Sequence, residues 1–256
     1  MPRHSANLGF LWADRPLLDR IDAAARAGFR AIELHWPYDV PAEAVKAHVQ
    51  GHGLSLLSIN TPLGSREGDS GLGAVAGREA EFLAGFHQAA DYASAAGATS
   101  IHVMAGLPEG GDLAKARRAF EANLAAISPL AKARGLTLLL EPLNPRDKPG
   151  YFYHRIEDAA AIIAGVGHPA LKIMFDCYHV QVGQGDVLRR LEAHFGLIGH
   201  IQIAAAPSRH EPDEGELDYR TVLAEIDRLG YQGWVGAEYR PRADTDAGLA
   251  WRQALA

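Results

Sequence analysis

The chain has 256 residues, of which 48% are hydrophobic and 22% charged, a composition typical of a globular protein with a sizeable core. The formal net charge of −6 argues against a nucleic-acid partner, because such proteins usually carry clustered Lys and Arg. No apolar run is long enough to cross a membrane, no signal-peptide pattern opens the chain, and the single Cys177 allows no internal disulfide. We therefore expect a cytoplasmic protein without nucleic-acid or membrane partners, and homo-oligomerisation stays open.

Short β-type runs alternate with longer helical patterns along the whole chain, which indicates repeated β/α units. In PLLDRIDAAARAG, for example, apolar residues recur at helical spacing and Gly28 then ends the helix. The predicted strands span residues 4–10, 30–34, 54–60, 99–104, 136–141, 171–176, 198–203 and 233–238. Eight parallel strands in a chain of this length predict an α/β fold, a single (β/α)8 TIM-barrel domain over residues 1–256.

One long irregular segment, TPLGSREGDSGLGAVAG at 61–77, follows the third predicted strand. Segments of this length are usually lids, binding loops or mobile segments. Its GLGAVA matches a dinucleotide-binding fingerprint in letters, but that site needs a helix that opens directly after a strand. We therefore predict a plain flexible loop here and no nucleotide site.

Polar residues close four consecutive strands of the predicted barrel. They are Glu141, Asp176, Gln202 and Glu238, separated by 35, 26 and 36 residues, each close to one β/α unit. Each one alone could be a capping acid or a buried amide. Together they should meet at the carboxyl end of the barrel, where the chemistry of this fold lies. Crowded carboxylates repel unless a cation lies among them, and an all-oxygen set suits Mg²⁺ or Mn²⁺.

The motifs of the chain strongly resemble those of the hydroxypyruvate isomerase family, within the xylose isomerase-like TIM barrels. They are SANL, LEPLN, FDCYH, HIQIA, RHEPDEGELDY and GYQGWVGAEYRP, in the family's order and spacing over the whole length. The resemblance implies that one divalent metal is held by Glu141, Asp176, Gln202 and Glu238. It also implies that Glu141 and Glu238 are the catalytic acid–base pair.

The same resemblance implies contacts with a small keto-acid substrate. His179 would bind a substrate oxygen, and Arg209 and Glu211, after the seventh strand, would lie near the substrate. His102 either lines the mouth and contacts substrate or packs within its strand. The substrate carboxylate is expected to meet Arg209 or Arg240, and the alternative for Arg209 is a surface ion pair with a nearby acid.

The implied reaction is the isomerisation of a small 2-keto acid through an enediol, with hydroxypyruvate and tartronate semialdehyde as the favoured pair. HVMAG and RHEPDEGE resemble the 2-oxo-tetronate isomerase branch, which stays an alternative together with a ketose 3-epimerase. A glycoside hydrolase would leave Asp176 and Gln202 without a role, and a zinc nuclease would need several histidines at the strand ends. A catalytically inactive binding barrel is the remaining alternative from another class.

Overall fold

The structure is a computed structural model and describes residues 2–255. The strands are β1 (Arg3–Asn7), β2 (Ala31–Glu33), β3 (Ser55–Leu56), β4 (Ser58–Asn60), β5 (Ser100–His102), β6 (Thr137–Leu140), β7 (Leu171–Asp176), β8 (Ile198–Ile203) and β9 (Trp234–Ala237). The α-helices are α1 (Leu17–Arg26), α2 (Ala42–Gly51), α3 (Glu79–Ala96), α4 (Leu113–Ala133), α5 (Ile156–Val166), α6 (Cys177–Gly183), α7 (Val187–His194), α8 (Tyr219–Arg228), α9 (Thr245–Gly248) and α10 (Trp251–Ala254).

The strands form one parallel sheet in the order β3-β2-β1-β9-β8-β7-β6-β5-β4. The two ends of this order, β3 and β4, are the halves of the third predicted strand and meet at Leu57. The N–H of Leu57 donates to the carbonyl of Ile32 at 2.9 Å, and its carbonyl accepts from the N–H of Ser100 at 2.9 Å. Leu57 thus joins β2 to β5 and brings the sheet round into a barrel, which confirms the predicted (β/α)8 TIM-barrel fold.

The strands are buried on both faces, as expected for a parallel sheet covered by helices. Helices alternate with strands along the chain, and glycines separate several of these units. Gly97 ends α3 at a φ of 86° and Gly135 follows α4 at 69°, a left-handed conformation that L side chains rarely adopt. The repeated pattern of helix, glycine and strand in the sequence therefore corresponds to real helix ends.

Two strands end more than one residue earlier than predicted. β1 stops at Asn7 and not at residue 10, because the Asn7 side chain accepts a hydrogen bond from the N–H of Gly9 at 2.9 Å and turns the chain. β5 ends at His102 and not at residue 104. Both strand ends lie at the carboxyl end of the barrel, so they shape the mouth of the cavity described below.

The segment 61–77 contains no helix, and GLGAVA therefore opens none. The prediction of a plain flexible loop misses how closely the segment packs. Gly71 pairs with Ala105 in an antiparallel bridge, and Asn123 donates its side-chain amide to the carbonyl of Gly73 at 2.8 Å. These contacts hold the segment against the β5 side of the mouth.

Among the described helices, none combines the length and the apolar character that crossing a membrane requires.

Candidate active site

A cavity of ≈170 Å³ opens at the carboxyl ends of the strands. It is lined by polar side chains from many of the β/α units, among them Asn7, Asn60, His102, Glu141, His179, Gln202, Arg209 and Glu238. Asp176 is buried beside this lining, with its Oδ2 atom 3.7 Å from His179 Nε2. The four strand-closing residues predicted from the sequence therefore belong to one site.

Each of these four residues has one buried side-chain oxygen without a hydrogen-bond partner in the described structure. The atoms are Glu141 Oε1, Asp176 Oδ2, Gln202 Oε1 and Glu238 Oε2. Burying an unpartnered oxygen is costly, and more so when it carries charge. Four such atoms from one site are the arrangement expected of a cluster built to hold a ligand.

The hydrogen bond to Oδ1 of Asp176 determines the orientation of the Oδ2 atom. Asp176 ends β7, and its Oδ1 atom accepts a hydrogen bond from the N–H of Tyr178 at 2.8 Å, which caps α6. With Oδ1 fixed by the helix end, Oδ2 is left for the cluster. Glu141, Asp176 and His179 each offer a potential ligand atom, and these atoms lie within 4.8 Å of one another.

The amide of Gln202 is oriented by Glu33. Gln202 donates its Nε2 group to Glu33 Oε2 at 2.9 Å, and Glu33 also accepts from Ser5 Oγ at 2.6 Å. A carboxylate can only accept, so the amide nitrogen faces Glu33 and the amide oxygen is the free atom. A Cβ on Gly236 would lie 2.4 Å from Glu33 Oε1, so only glycine leaves room for this contact. Gln202 thus presents its Oε1 atom, and not its Nε2 group, to the cluster.

The two glutamates are arranged alike although they come from different sides of the barrel. Glu141 Oε2 lies 3.5 Å from His102 Nδ1, and Glu238 Oε1 lies 3.0 Å from His35 Nε2. In both cases a histidine accompanies one oxygen and the second oxygen is unpartnered. Glu141 follows β6 and Glu238 follows β9, three strands further round the ring. Their carboxylates therefore approach the cavity from different directions.

His179 is held as a hydrogen-bond donor towards the cluster. The backbone N–H of Asn144 donates to His179 Nδ1 at 3.1 Å, so Nδ1 carries no proton. Burial, together with Arg209 and His102, lowers the pKa of His179 well below its ordinary value. The ring is therefore neutral with its proton on Nε2, which suits a contact with a substrate oxygen better than metal ligation.

Glu141 and Asp176 both resist ionisation, because the pKa of each is raised. Burial raises the pKa of Glu141 well above its ordinary value, and the nearby Glu238 and Asp176 add to the effect. Burial and Glu238 also raise the pKa of Asp176, to about 7, although Arg209 opposes the change. This is the response expected of crowded, desolvated acids, and a bound cation would relieve it.

Arg209 reaches this cluster from the loop after β8. Its Nη2 atom lies 3.5 Å from Glu238 Oε2 and 3.7 Å from Asp176 Oδ2, and its guanidinium lies against the rings of Phe10 and Tyr178. Its φ of 58° is left-handed, which is uncommon for a residue other than glycine. Such strain persists where the surroundings enforce it, and here it accompanies a guanidinium held inside the site.

The family model described as Xylose isomerase-like TIM barrel matches residues 21–255. The chain belongs to the xylose isomerase-like TIM barrel family. It is 47% identical to a 2-oxo-tetronate isomerase from Cupriavidus necator, over 98% of this chain and 97% of that protein. It is 42% identical to a putative hydroxypyruvate isomerase from Mus musculus, over 97% and 93% of the two chains.

A solved structure described as an AP endonuclease, family 2, from Brucella melitensis superposes with a TM-score of 0.96 at 38% identity, and 99% of each chain is covered. The curated relatives named above are both isomerases, so the chain is an isomerase of the xylose isomerase-like family. The family and the enzyme class predicted from the motifs are confirmed, and the exact substrate is not decided by these names.

Within this xylose isomerase-like site, one predicted substrate contact lies elsewhere. Glu211 does not line the cavity; its carboxylate accepts from the backbone N–H of Arg242 at 3.2 Å and from its Nε at 2.9 Å. Arg242 also pairs with Asp213 and Glu214. Asp218, further along the same loop, caps α8 with its side chain. The acids at 211–214 thus bind Arg242 and hold the loop, so we place Glu211 outside the substrate contacts.

Some of the histidines line the cavity and others pack elsewhere. His102 lines the cavity, and His35 and Trp36 form part of its wall, whereas His4 packs edge-on against Trp251. Five further residues that line the cavity were not expected from the sequence: Asn7, Phe10, Asn60, Asp147 and Lys148. Their only signal in the sequence is position, since they lie in or near the motif SANL and the segments 58–62 and 143–150.

Proposed function

We propose that this isomerase moves the carbonyl group of a short 2-oxo-3-hydroxy acid between its second and third carbons. One observation carries the proposal: Glu141 and Glu238 each present an oxygen without a hydrogen-bond partner to the same buried cluster from different sides of the barrel. A carbonyl shift through an enediol needs one group that removes a proton and one that returns it on the neighbouring carbon. Two opposed carboxylates can provide both.

The names of the two relatives reduce the candidate substrates to two. Hydroxypyruvate and 2-oxo-tetronate share a carboxylate, a 2-oxo group and a hydroxyl on C3, and the second differs by one hydroxymethyl group. The motifs favoured hydroxypyruvate, but the more similar of the two relatives described above is named for 2-oxo-tetronate. We therefore propose 2-oxo-tetronate as the first substrate and hydroxypyruvate as the second.

In the proposed reaction one glutamate takes the proton from C3 and the other delivers a proton to C2. The hydroxyl proton passes from O3 to the former carbonyl oxygen, so no atom is gained or lost. His179 donates its Nε2 proton to a substrate oxygen, and His102 and His35 hold the second oxygens of Glu141 and Glu238 in place. The buried position of these groups limits competing proton exchange with water.

The residues fit a divalent cation. Three carboxylates and the amide oxygen of Gln202 leave four buried oxygens without partners, and their hard-oxygen character favours Mg²⁺ or Mn²⁺. Glu141, Asp176, Gln202 and Glu238 would hold it. When bound, such a cation supplies a positive charge that stabilises the negative charge of the enediolate. Arg209, beside Asp176 and Glu238, adds a second positive charge on the protein itself.

The experiment that tests this proposal follows product formation by NMR. The purified protein with Mg²⁺ is incubated with 2-oxo-tetronate and, separately, with hydroxypyruvate; we expect 3-oxo-tetronate and tartronate semialdehyde. The Glu141→Gln, Glu238→Gln double variant serves as the control for background enolisation. If neither acid is converted faster than in that control, while a neutral ketose is epimerised at C3, the chain is a ketose 3-epimerase.

A further inference from the structure

Lys148 lies at the mouth of the cavity, in the segment that connects β6 to α5. Its side chain is half-buried, and its Nζ atom donates to Ser70 Oγ at 3.2 Å. Among the side chains that the structure describes, no carboxylate pairs with this ammonium group. An ammonium has three donors, so two of them are free to bind a ligand.

The other two cations of the cavity differ from Lys148. Arg209 lies within 3.7 Å of Asp176 and Glu238 and 3.5 Å from Asp147, so its charge is already matched by carboxylates of the protein. Arg240 is exposed at the rim, 5.7 Å from the centre of the Phe10 ring. Lys148 is thus the lining cation that is both partly buried and unmatched by an acid.

The position of the Lys148 head group is fixed by the segment 61–77. Ser70 is buried, and its neighbours on both sides are held: Arg78 pairs with Asp69 at 2.6 Å, and Gly71 donates its N–H to the carbonyl of Leu63 at 2.8 Å. A cation held before the ligand arrives loses less conformational entropy on binding. The packed segment therefore acts on the cavity through Ser70.

We propose that Lys148 binds the carboxylate of the substrate and is the residue that selects acids over neutral sugars. The interior of the site is rich in carboxylates, which repel an anionic substrate, so the acid end needs a cation away from that cluster. Lys148 provides this cation from the β6 side of the mouth. The assignment rests on the proposed function for the substrate class, and Lys148 takes the place of Arg209 and Arg240, the two expected carboxylate partners.

The test uses glycerate, an unreactive acid with vicinal hydroxyls, and glycerol, its neutral counterpart. Ligand-observed NMR titration with saturating Mg²⁺ gives the affinity of each variant for both. We expect glycerate to bind the wild type at least about tenfold more tightly than glycerol, and Lys148→Met to weaken glycerate binding by roughly 10- to 100-fold, because a hydrogen bond to a charged group is lost. Glycerol binding should not change.

Three further variants make the test specific. Lys148→Arg keeps the charge and should retain most of the glycerate affinity, and Ser70→Ala should weaken it only a few-fold, as expected of a positioning residue. Lys46→Met, a half-buried lysine on α2 outside the cavity, should change neither affinity. Wild-type selectivity for glycerate that persists in Lys148→Met overturns the assignment, as does a wild type that does not prefer glycerate.

The same variants separate this inference from the proposed function. If the wild type binds glycerate through Lys148 but converts neither keto acid, the proposed function is wrong and the carboxylate site stands. If both acids are converted and Lys148→Met has the KM of the wild type, the reaction stands and Lys148 is not the carboxylate site. If both proposals hold, Lys148→Met should raise KM for the keto acids much more than it lowers kcat.

Discussion

Glu33 and the cluster of Glu141, Asp176 and Glu238 are buried in the same barrel, but the surroundings of their carboxylates differ. Both oxygens of Glu33 have partners: Ser5 Oγ at 2.6 Å, Gln202 Nε2 at 2.9 Å and His200 Nε2 at 3.0 Å. Burial opposes ionisation of Glu33, but His200 and the hydrogen bonds outweigh it and lower its pKa. In the cluster, burial and mutual repulsion raise the pKa of Glu141 and Asp176.

The difference shows how a buried acid can be assigned to structure or to function. Side chains of the protein satisfy both carboxylate oxygens of Glu33, so we assign Glu33 a role in stability and in the orientation of Gln202. The cluster keeps one oxygen without a hydrogen-bond partner on each acid, so it stores an unfavourable energy that a bound cation can release. Residue type and burial alone do not separate these two cases.

The largest effect is expected at the catalytic pair. Glu141→Gln or Glu238→Gln should each lower kcat/KM by about 10²- to 10⁴-fold, because each removes a proton-transfer group. The melting temperature should stay the same or rise for Glu141→Gln, because a desolvated acid and its repulsion are removed. Steady-state kinetics and thermal melting measure both quantities. Near-normal turnover in either variant contradicts the acid–base assignment.

Glu33→Gln should show the opposite pattern. The amide keeps one acceptor oxygen and places an NH2 group at the other position, so either Ser5 or Gln202 loses its acceptor and His200 loses its anionic partner. We expect the free energy of unfolding to fall by about 3 kcal/mol. Urea denaturation measures this loss. Glu43→Gln, at an exposed position of α2, is the matched control and should change stability by less than about 0.5 kcal/mol. Equal stability of the two variants would remove the distinction drawn between Glu33 and the cluster.

A smaller effect is expected in the pH dependence of stability without metal. The pKa of Asp176 is about 7 in the folded chain, against about 3.9 when unfolded. Between these values the folded state binds more protons, so its stability should fall as pH rises from about 4 to 7, by up to about 1.4 kcal/mol per pH unit from this group. Glu33, with a lowered pKa, should act in the opposite direction and lose its contribution below about pH 4.

Thermal melting in a chelator across this pH range tests the prediction for the cluster. Asp176→Asn should make the decline shallower, because one of the two titrating groups is absent and only Glu141 keeps a raised pKa. At pH 7, Mg²⁺ or Mn²⁺ should raise the melting temperature of the wild type, since a ligand that binds only the folded state stabilises it. The same ions should have little effect on Asp176→Asn. A wild-type curve that does not respond to millimolar metal points to a glutamate pair that works without a cation.

Much of this site can be predicted from the repeated β/α units of the sequence. Glu141, Asp176, Gln202 and Glu238 could be placed together because each closes one β/α unit, and in a parallel barrel the strand register brings those positions to one end. The fold follows from the same alternating pattern, whereas the family and the enzyme class follow from the resemblance of the motifs. The fold and the ring of strand-closing residues depend on local periodicity, which a sequence expresses directly.

The tertiary structure alone decided which loop residues enter the site. Arg209 and Glu211 are two positions apart in one loop, yet Arg209 faces the cluster at a φ of 58° whereas Glu211 pairs with Arg242. The proton position on His179 depends on Asn144, and the position of Lys148 depends on Ser70, 78 residues away. Loop conformation is set by distant partners, which have no fixed spacing in the chain. The sequence by itself therefore determined the ring of acids, and the folded structure determined the cations and hydrogen-bond donors that surround it.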